Sequence, residues 1–161
     1  MSYLSGLLAL DRIALNMRGR AAADVLRELA ARVPELRADT PRLDLFVEAL
    51  LERERLHSTA IGGGIALPHA RCFKGGIIAR PLLVFGRHET GIPFSAADQT
   101  PVRIFFLLAA PDLTEHLRML SSLSRVLRDA ALRASLLESR DPSRLGTALA
   151  EAEARLAKAA L

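Results

Sequence analysis

The sequence predicts an α/β fold: a single domain over residues 1–161, with a mixed β-sheet flanked by helices on both sides. Three observations predict it. The chain has 161 residues, 50% of them hydrophobic, which is enough for one well-buried core. Apolar residues recur every three or four positions towards both ends, as in amphipathic helices. Between these regions lie a glycine-rich segment and two apolar runs that are typical of strands.

The N-terminal third is predicted to form one edge strand and two helices. Arg12–Met17 fits an edge strand, and Ala21–Val33 has helical spacing that a following proline ends. A second helix is predicted from Thr40 to about Arg55, because Thr40 can cap free N–H groups and Pro41 suits the first helical position. Its buried stripe is expected at Leu43, Phe46, Val47, Leu50 and Leu51.

The rest of the chain is predicted to form two long strands followed by three helices. Ile77–Phe85 is strand-like but contains Pro81, which favours an edge or a bulge, whereas Val102–Ala109 fits a central strand buried on both faces. Gly91–Ser95 is predicted to be a loop between them. The first helix is expected from Asp112 or Thr114 to about Arg128, with a stripe at Leu117, Leu120, Leu123 or Ser124, and Leu127. The other two are expected over Asp129–Ser139 and Ser143–Ala160.

Composition excludes several classes of protein. The longest uncharged apolar run, Ile104–Ala110, is far shorter than the roughly 20 residues of a membrane span, so we expect a cytoplasmic protein without membrane insertion. The net charge is +4, but the charges are mixed and aromatics are only 4%, so we expect no nucleic-acid partner. Cys72 is the only cysteine, which excludes an internal disulfide and a cysteine-based zinc site, and we expect no metal.

Three side chains are candidates for chemistry. His69 follows Pro68 at the end of a short apolar stretch beside the glycines, where functional side chains are often placed, although on spacing alone an exposed loop histidine is the commoner explanation. His116 lies in the first turn of a helix, where an anion is favoured, or it is a histidine at the core edge. Arg53 lies beside the apolar stripe of its helix and either aims at a phosphoryl group or only favours the helix end.

The glycine run adds a fourth candidate feature. Gly62–Gly64 is followed by no Gly-Lys-Ser/Thr and does not match G-x-G-x-x-G, so it is neither a Walker loop nor a dinucleotide fingerprint. Its N–H groups could hold an anion, although a plain tight turn is commoner. Ser58 and Thr59 supply hydroxyls next to it.

Together these residues resemble a known family. The segment Arg53–His69 reads R-E-R-L-H-S-T-A-I-G-G-G-I-A-L-P-H and resembles the signature R-E-x-x-x-S-T-x-I-G-x-G-[IV]-A-[IV]-P-H of type-2 enzyme IIA domains of the bacterial phosphotransferase system. This is the fructose/mannitol class with its nitrogen-regulatory branch. Phe94–Val102 and Glu115–Leu117 also match, and the resemblance extends from about Leu7 to Leu149.

The resemblance implies that His69 accepts a phosphoryl group from a histidine-containing phosphocarrier protein. It implies that Arg53 and His116 stabilise the phosphate, that Ser58 and Thr59 line the site, and that no cofactor is needed, since the donor is already a phosphohistidine. We expect the His69 ring to lie open to solvent at the rim of a glycine-lined hollow. His57 departs from the family, which usually has a small residue there, and could crowd the pocket or alter its charge.

The chain resembles the nitrogen-regulatory branch most, because it is small and carries no IIB or membrane segment in its 161 residues. That branch regulates target proteins such as transporters or sensor kinases through its phosphorylation state. The alternatives are a sugar-specific (fructose/mannitol) enzyme IIA that passes phosphate to a IIB domain, and a non-catalytic IIA-like binding module. Apolar surface on the last helix would permit a homodimer.

Overall fold

The protein is described by a computed structural model over residues 2–70 and 77–161. Within these ranges the chain forms helices α1 to α6 and strands β1 to β5. The helices are α1 Tyr3–Leu7, α2 Ala22–Ala30, α3 Thr40–Leu56, α4 Leu113–Val126, α5 Ala130–Glu138 and α6 Pro142–Ala159. The strands are β1 Ile13–Ala14, β2 Ala60–Gly62, β3 Ile65–Ala66, β4 Leu82–Ile92 and β5 Val102–Ala109. Cys72 lies outside the described residues.

The sheet is mixed, as the sequence predicts. Its order is β1-β4-β5-β3-β2. β4 and β5 are antiparallel, β1 is parallel to β4, and β3 is parallel to β5 but antiparallel to β2. β5 therefore has a partner on each side, which suits its continuous apolar sequence. The pairing of β3 with β5 continues beyond the strand itself, since His69 bridges Leu108. The position of His69 is thus fixed by the most buried strand of the sheet.

Helices cover both faces of the sheet, so the predicted architecture is confirmed. Alternate residues of β5 belong to different cores, with Phe105 on one face and Phe106 on the other. On the first face α2 and α3 pack through residues such as Leu26 and Leu50. On the second face α1, α4, α5 and α6 pack, for example through Leu123. A site at the end of β5 can therefore collect side chains from both layers.

Aspartates begin the C-terminal helices and also α3. The Asp39 carboxylate, not the Thr40 hydroxyl predicted from sequence, accepts the Arg42 N–H at 3.1 Å at the start of α3. A carboxylate one residue earlier offers the stronger acceptor and leaves Thr40 inside the helix. Of the two caps considered for α4, Asp112 is the one used, with its carboxylate 2.9 Å from the Glu115 nitrogen.

Other boundaries differ from the sequence-based predictions. The strand expected over Ile77–Phe85 begins only at Leu82, after Pro81, and extends to Ile92 into the segment predicted to be a loop. A proline cannot donate to a ladder, and the strand starts where donation resumes. Leu117 is 54% exposed rather than buried, since α4 packs through Met119, Leu123 and Val126.

Candidate functional site

Three elements meet at the C-terminal end of β5. β3 leads into His69, whose backbone pairs with Leu108, and the Leu108 N–H donates to the Pro68 carbonyl at 3.0 Å. Arg53 lies in the last turn of α3, on one side of the sheet, and His116 lies in the first turn of α4, on the other. The two helical layers and β3 thus bring the three predicted residues together at one end of β5. Arg53 and His116 are 63 positions apart in sequence.

The two imidazole rings are in contact. Their centroids are 4.8 Å apart and the ring planes are inclined by 53°. The Nδ1 atom of His69 lies 2.8 Å from the Leu67 carbonyl oxygen. A carbonyl oxygen can only accept, so Nδ1 of a neutral ring must carry the hydrogen, and Nε2 keeps its lone pair. Among the described residues, Nε2 has no hydrogen-bond partner.

The His69 ring is less open than the sequence led us to expect. Only 7% of the residue is exposed, so the prediction of a ring lying open to solvent is wrong. The reason is local packing: the backbone is held against β5 and the ring rests on His116, which is itself half-buried. Most of His69 is therefore kept from water.

The electrostatics of the site keep both rings uncharged. Burial lowers the pKa of His69 to about 4 against the opposing effect of the Leu67 hydrogen bond, and repulsion from Arg53 and from the protonated form of His116 adds to the lowering. Burial and the charge of Arg53 likewise lower the pKa of His116. Near neutral pH, His69 is therefore a neutral ring with an available nitrogen lone pair.

Arg53 is the cation of this site. Its side chain is half-buried, and its Nη1 group donates to the His57 carbonyl oxygen at the end of α3. This contact holds the guanidinium at the C-terminal end of α3. It is the position expected if Arg53 only favours the helix end. The same charge also lowers the pKa of both histidines, and the role of Arg53 towards a phosphoryl group stays a prediction.

A half-buried carboxylate connects α3 to His69. Glu54 accepts the Thr59 N–H at 3.0 Å and the Thr59 hydroxyl through its other oxygen, and burial raises its pKa. The Thr59 carbonyl in turn accepts the Leu67 N–H at 3.0 Å. Because the Leu67 carbonyl accepts a hydrogen bond from His69 Nδ1–H, one chain of hydrogen bonds connects Glu54 to the His69 ring.

The hydroxyl of Ser58 is also engaged within the protein. It donates to the Phe94 carbonyl at 2.7 Å and accepts the Ala60 N–H at 3.1 Å. The Gly63 N–H, proposed from sequence as an anion donor, is directed to the Asp98 carboxylate at 3.0 Å. In this arrangement the hydroxyl protons of Ser58 and Thr59 and the Gly63 N–H hold the glycine loop together.

The glycines themselves are required by the backbone. Gly62, Gly63 and Gly64 have φ of 90°, 64° and 77°, in the left-handed region that other residues rarely adopt. At Gly64 an added Cβ would lie 3.2 Å from the Pro101 carbonyl oxygen, so the loop also packs tightly. This conformation turns the chain from β2 into β3 and so sets the course towards His69.

Sequence reasoning missed Glu54 and Asp98. Glu54 stands inside the motif as its second letter, and that position was the available signal. Asp98 lies in the matching segment Phe94–Val102, but no local pattern pairs it with Gly63, which is 35 positions away. No group of three or more His, Cys, Asp or Glu suited to a metal occurs within the described part of the chain. No described helix has the length and apolar character needed to cross a membrane.

Comparison with known proteins gives a consistent result. Residues 7–152 match the family described as phosphoenolpyruvate-dependent sugar phosphotransferase system, EIIA 2. A nitrogen regulatory protein of Bradyrhizobium diazoefficiens is 34% identical over 149 residues, which cover 91% of this chain and 94% of that protein. The fructose-specific EIIA component of Haloferax volcanii is 36% identical over 122 residues, or 73% of this chain and 77% of that one.

Solved structures show the same fold. The crystal structure of nitrogen regulatory protein IIA-Ntr from Neisseria meningitidis has a TM-score of 0.78 and 28% identity, and covers 90% of this chain and 97% of that one. IIA mannitol from Escherichia coli has a TM-score of 0.74 over 88% of this chain and 97% of that one, at 22% identity, and shows the fold alone. With the family match over residues 7–152, the chain belongs to the EIIA type-2 family of the phosphotransferase system.

Proposed function

We propose that Nε2 of His69 accepts a phosphoryl group from the phosphohistidine of a small histidine-containing phosphocarrier protein. The observation that carries this proposal is the Leu67 hydrogen bond to Nδ1, which leaves the lone pair on Nε2 of a neutral ring. A neutral imidazole is the form that attacks phosphorus. Family membership supports the reaction class.

The transfer balances without a separate acid or base. The Nε2 lone pair forms the new N–P bond while the N–P bond of the donor breaks, and that electron pair returns to the donor imidazole. A donor ring that carries a proton on its other nitrogen leaves as a neutral imidazole. The His69 ring takes up the positive charge, which the Leu67 carbonyl stabilises through Nδ1–H.

Arg53 and His116 then stabilise the phosphoryl group. Charge spreads over its equatorial oxygens during transfer, and a fixed guanidinium can meet it with paired N–H donors. His116 can donate one N–H from its position against the His69 ring. Low exposure of His69 would keep water from the bound group. For Ser58 and Thr59, direct contact with phosphate stays a prediction.

Exposed apolar side chains close to the site support a protein donor. Leu56 ends α3 three residues after Arg53 and is 62% exposed, and Leu113 and Leu117 on the His116 turn are each 54% exposed. Exposed leucines in such a group favour association with another protein surface. We propose that the phosphocarrier covers them when its phosphohistidine meets His69.

Labelling tests the assignment. Incubation with enzyme I, phosphoenolpyruvate and the phosphocarrier should place one acid-labile phosphate on this protein, and His69→Gln should abolish it. His88→Gln is the matched control, because His88 lies on β4 and its Nδ1 accepts the Gly91 N–H. Full labelling of His69→Gln would refute the assignment. Absence of labelling in the unaltered protein would favour the non-catalytic binding module.

We further propose the nitrogen-regulatory branch, in which phosphorylation controls binding to a transporter or sensor kinase. The support is a nitrogen regulatory relative that matches 91% of this chain and 94% of its own length. Sugar-specific relatives keep the second candidate open. The phosphorylated protein should fail to pass its phosphate to purified fructose- or mannitol-type IIB, whereas rapid transfer would indicate the sugar branch. Cytoplasmic location and a homodimer stay predictions.

A further inference from the structure

A second group of charged residues lies at the opposite end of β5 from His69. Arg87 on β4 and Arg103 on β5 line a cavity of about 660 Å³ together with Arg140, which follows α5. Arg103 precedes Leu108, the pairing partner of His69, by five residues, or roughly 17 Å of strand. This cavity is therefore separate from the phosphoryl-acceptor site.

The guanidinium of Arg87 is fixed in place. Its Nη1 group donates to the carbonyl oxygens of Leu136, Leu137 and Ser139 at 3.1, 3.2 and 2.7 Å, at the C-terminal end of α5. Burial, and then the charge of Arg103, lower the pKa of Arg87. Two like charges are thus held near each other by the fold, although each would be better solvated apart.

The side-chain Nε atom of Arg103 lacks a partner within the described part of the chain. This donor atom is buried. A buried donor without an acceptor is unfavourable, and proteins usually supply one. Glu89 and Glu138 line the same cavity but are exposed, and within the described part of the chain neither forms an ion pair with the three arginines.

We propose that this cavity binds a small phosphate-bearing anion, held between Arg87 and Arg103 and closed by Arg140. An anionic oxygen would supply the acceptor that Arg103 Nε lacks and would neutralise the two adjacent guanidiniums. Guanidinium groups match phosphate oxygens in paired hydrogen bonds, and three of them outnumber the two carboxylates of the cavity. The inference does not depend on phosphotransfer at His69.

Nuclear magnetic resonance of ¹⁵N-labelled protein tests the proposal with inorganic phosphate and pyrophosphate as probes. Addition of pyrophosphate should shift the Nε–H signals of Arg87 and Arg103 and the amides of residues 87–89 and 137–140 in a saturable way. Pyrophosphate should bind more tightly than phosphate if two arginines share the ligand. Sodium chloride at equal ionic strength should not reproduce the shifts, and if it does the proposal fails.

Variants separate this cavity from the His69 site. Arg103→Gln should weaken pyrophosphate binding by about tenfold or more, as judged by those shifts. Arg140→Gln, which changes an exposed side chain and should leave the fold intact, should weaken binding severalfold and decides the matter if Arg103→Gln does not fold. Arg133→Gln on α5 and Arg53→Gln at the other site should leave the shifts unchanged. Binding that survives both cavity variants would overturn the proposal.

Discussion

Two neighbouring parts of the molecule differ in how their polar groups are hydrogen-bonded. We call Glu54, Ser58, Thr59 and Asp98 the framework, and Arg53, His69 and His116 the reacting centre. In the framework, hydroxyls, carboxylates and backbone N–H groups bind one another. In the reacting centre, two uncharged rings lie in contact and the Nε2 atom of His69 has no partner among the described residues.

This contrast indicates that the residues of the motif have two separate roles. Hydrogen bonds inside the framework fix the glycine loop and, through Thr59 and Leu67, the His69 ring. Of these two parts, it is the reacting centre that leaves a free acceptor among the described residues, Nε2 of His69, where we propose that the phosphoryl group arrives. If this division is right, changes in the centre should reduce transfer, whereas changes in the framework should first reduce order or stability.

After the complete loss expected for His69→Gln, the largest effect on transfer is expected at Arg53. Arg53→Gln should slow phosphoryl transfer by about 10²-fold, because a fixed cation that meets developing charge is typically worth that much. Arg53→Lys should restore only part of the rate, since a lysine cannot form the paired contact. Single-turnover transfer from the labelled phosphocarrier measures both.

Arg55→Gln is the matched control for Arg53. Arg55 lies in the same last turn of α3, is exposed and carries the same charge. Its removal should leave the transfer rate within about twofold, as expected for an exposed charge. An equal loss of rate in the two variants would show that overall charge, not the position of Arg53, is responsible.

A smaller effect on rate is expected at Glu54. Glu54→Ala removes the acceptor of two Thr59 hydrogens and should lower the free energy of unfolding by about 1–3 kcal/mol. Because the chain of hydrogen bonds ends at His69, faster exchange of the Leu67 N–H and a shifted His69 ring signal should accompany it. Glu52→Ala, on the exposed side of the same helix, is the control. An unshifted His69 signal in a destabilised protein would disprove the connection.

The smallest effect on transfer is expected at Ser58. Ser58→Ala should cost about 1 kcal/mol of stability through the lost bond to Phe94 and leave the transfer rate within about twofold. The family resemblance offers the opposite possibility, a hydroxyl that binds phosphate directly. A tenfold slower transfer with unchanged stability would favour that role and move Ser58 from the framework to the reacting centre.

Local sequence patterns predicted the helices and the central strand well. Capping aspartates, prolines and apolar spacing act within a few residues, so α5, α6 and β5 are near their predicted bounds. The extension of β4 to Ile92 and the exposure of Leu117 depend on partners distant in sequence. No local pattern encodes these contacts.

The candidate site divides in the same way. Local sequence context made Arg53, His69 and His116 candidates, and the resemblance implied a role for each. Neither predicted that His69 would be only 7% exposed, because that depends on its pairing with Leu108 and its packing against His116. The partners of Ser58 and Gly63 likewise come from the loop around residues 94–98. Sequence spacing identifies the candidate residues, whereas tertiary packing determines their exposure and their hydrogen-bond partners.

The protonation state of His69 is the most direct test of the proposal that its Nε2 atom accepts the phosphoryl group. A pH titration of the histidine ring nitrogens by nuclear magnetic resonance reports both the position of the hydrogen and the pKa. We predict that the His69 ring is neutral at pH 7 with its hydrogen on Nδ1, and that its pKa lies well below the ordinary 6.5, at about 4. Hydrogen on Nε2, or a pKa of 6.5 or above, would contradict it, since His69 would then lack the free lone pair on Nε2.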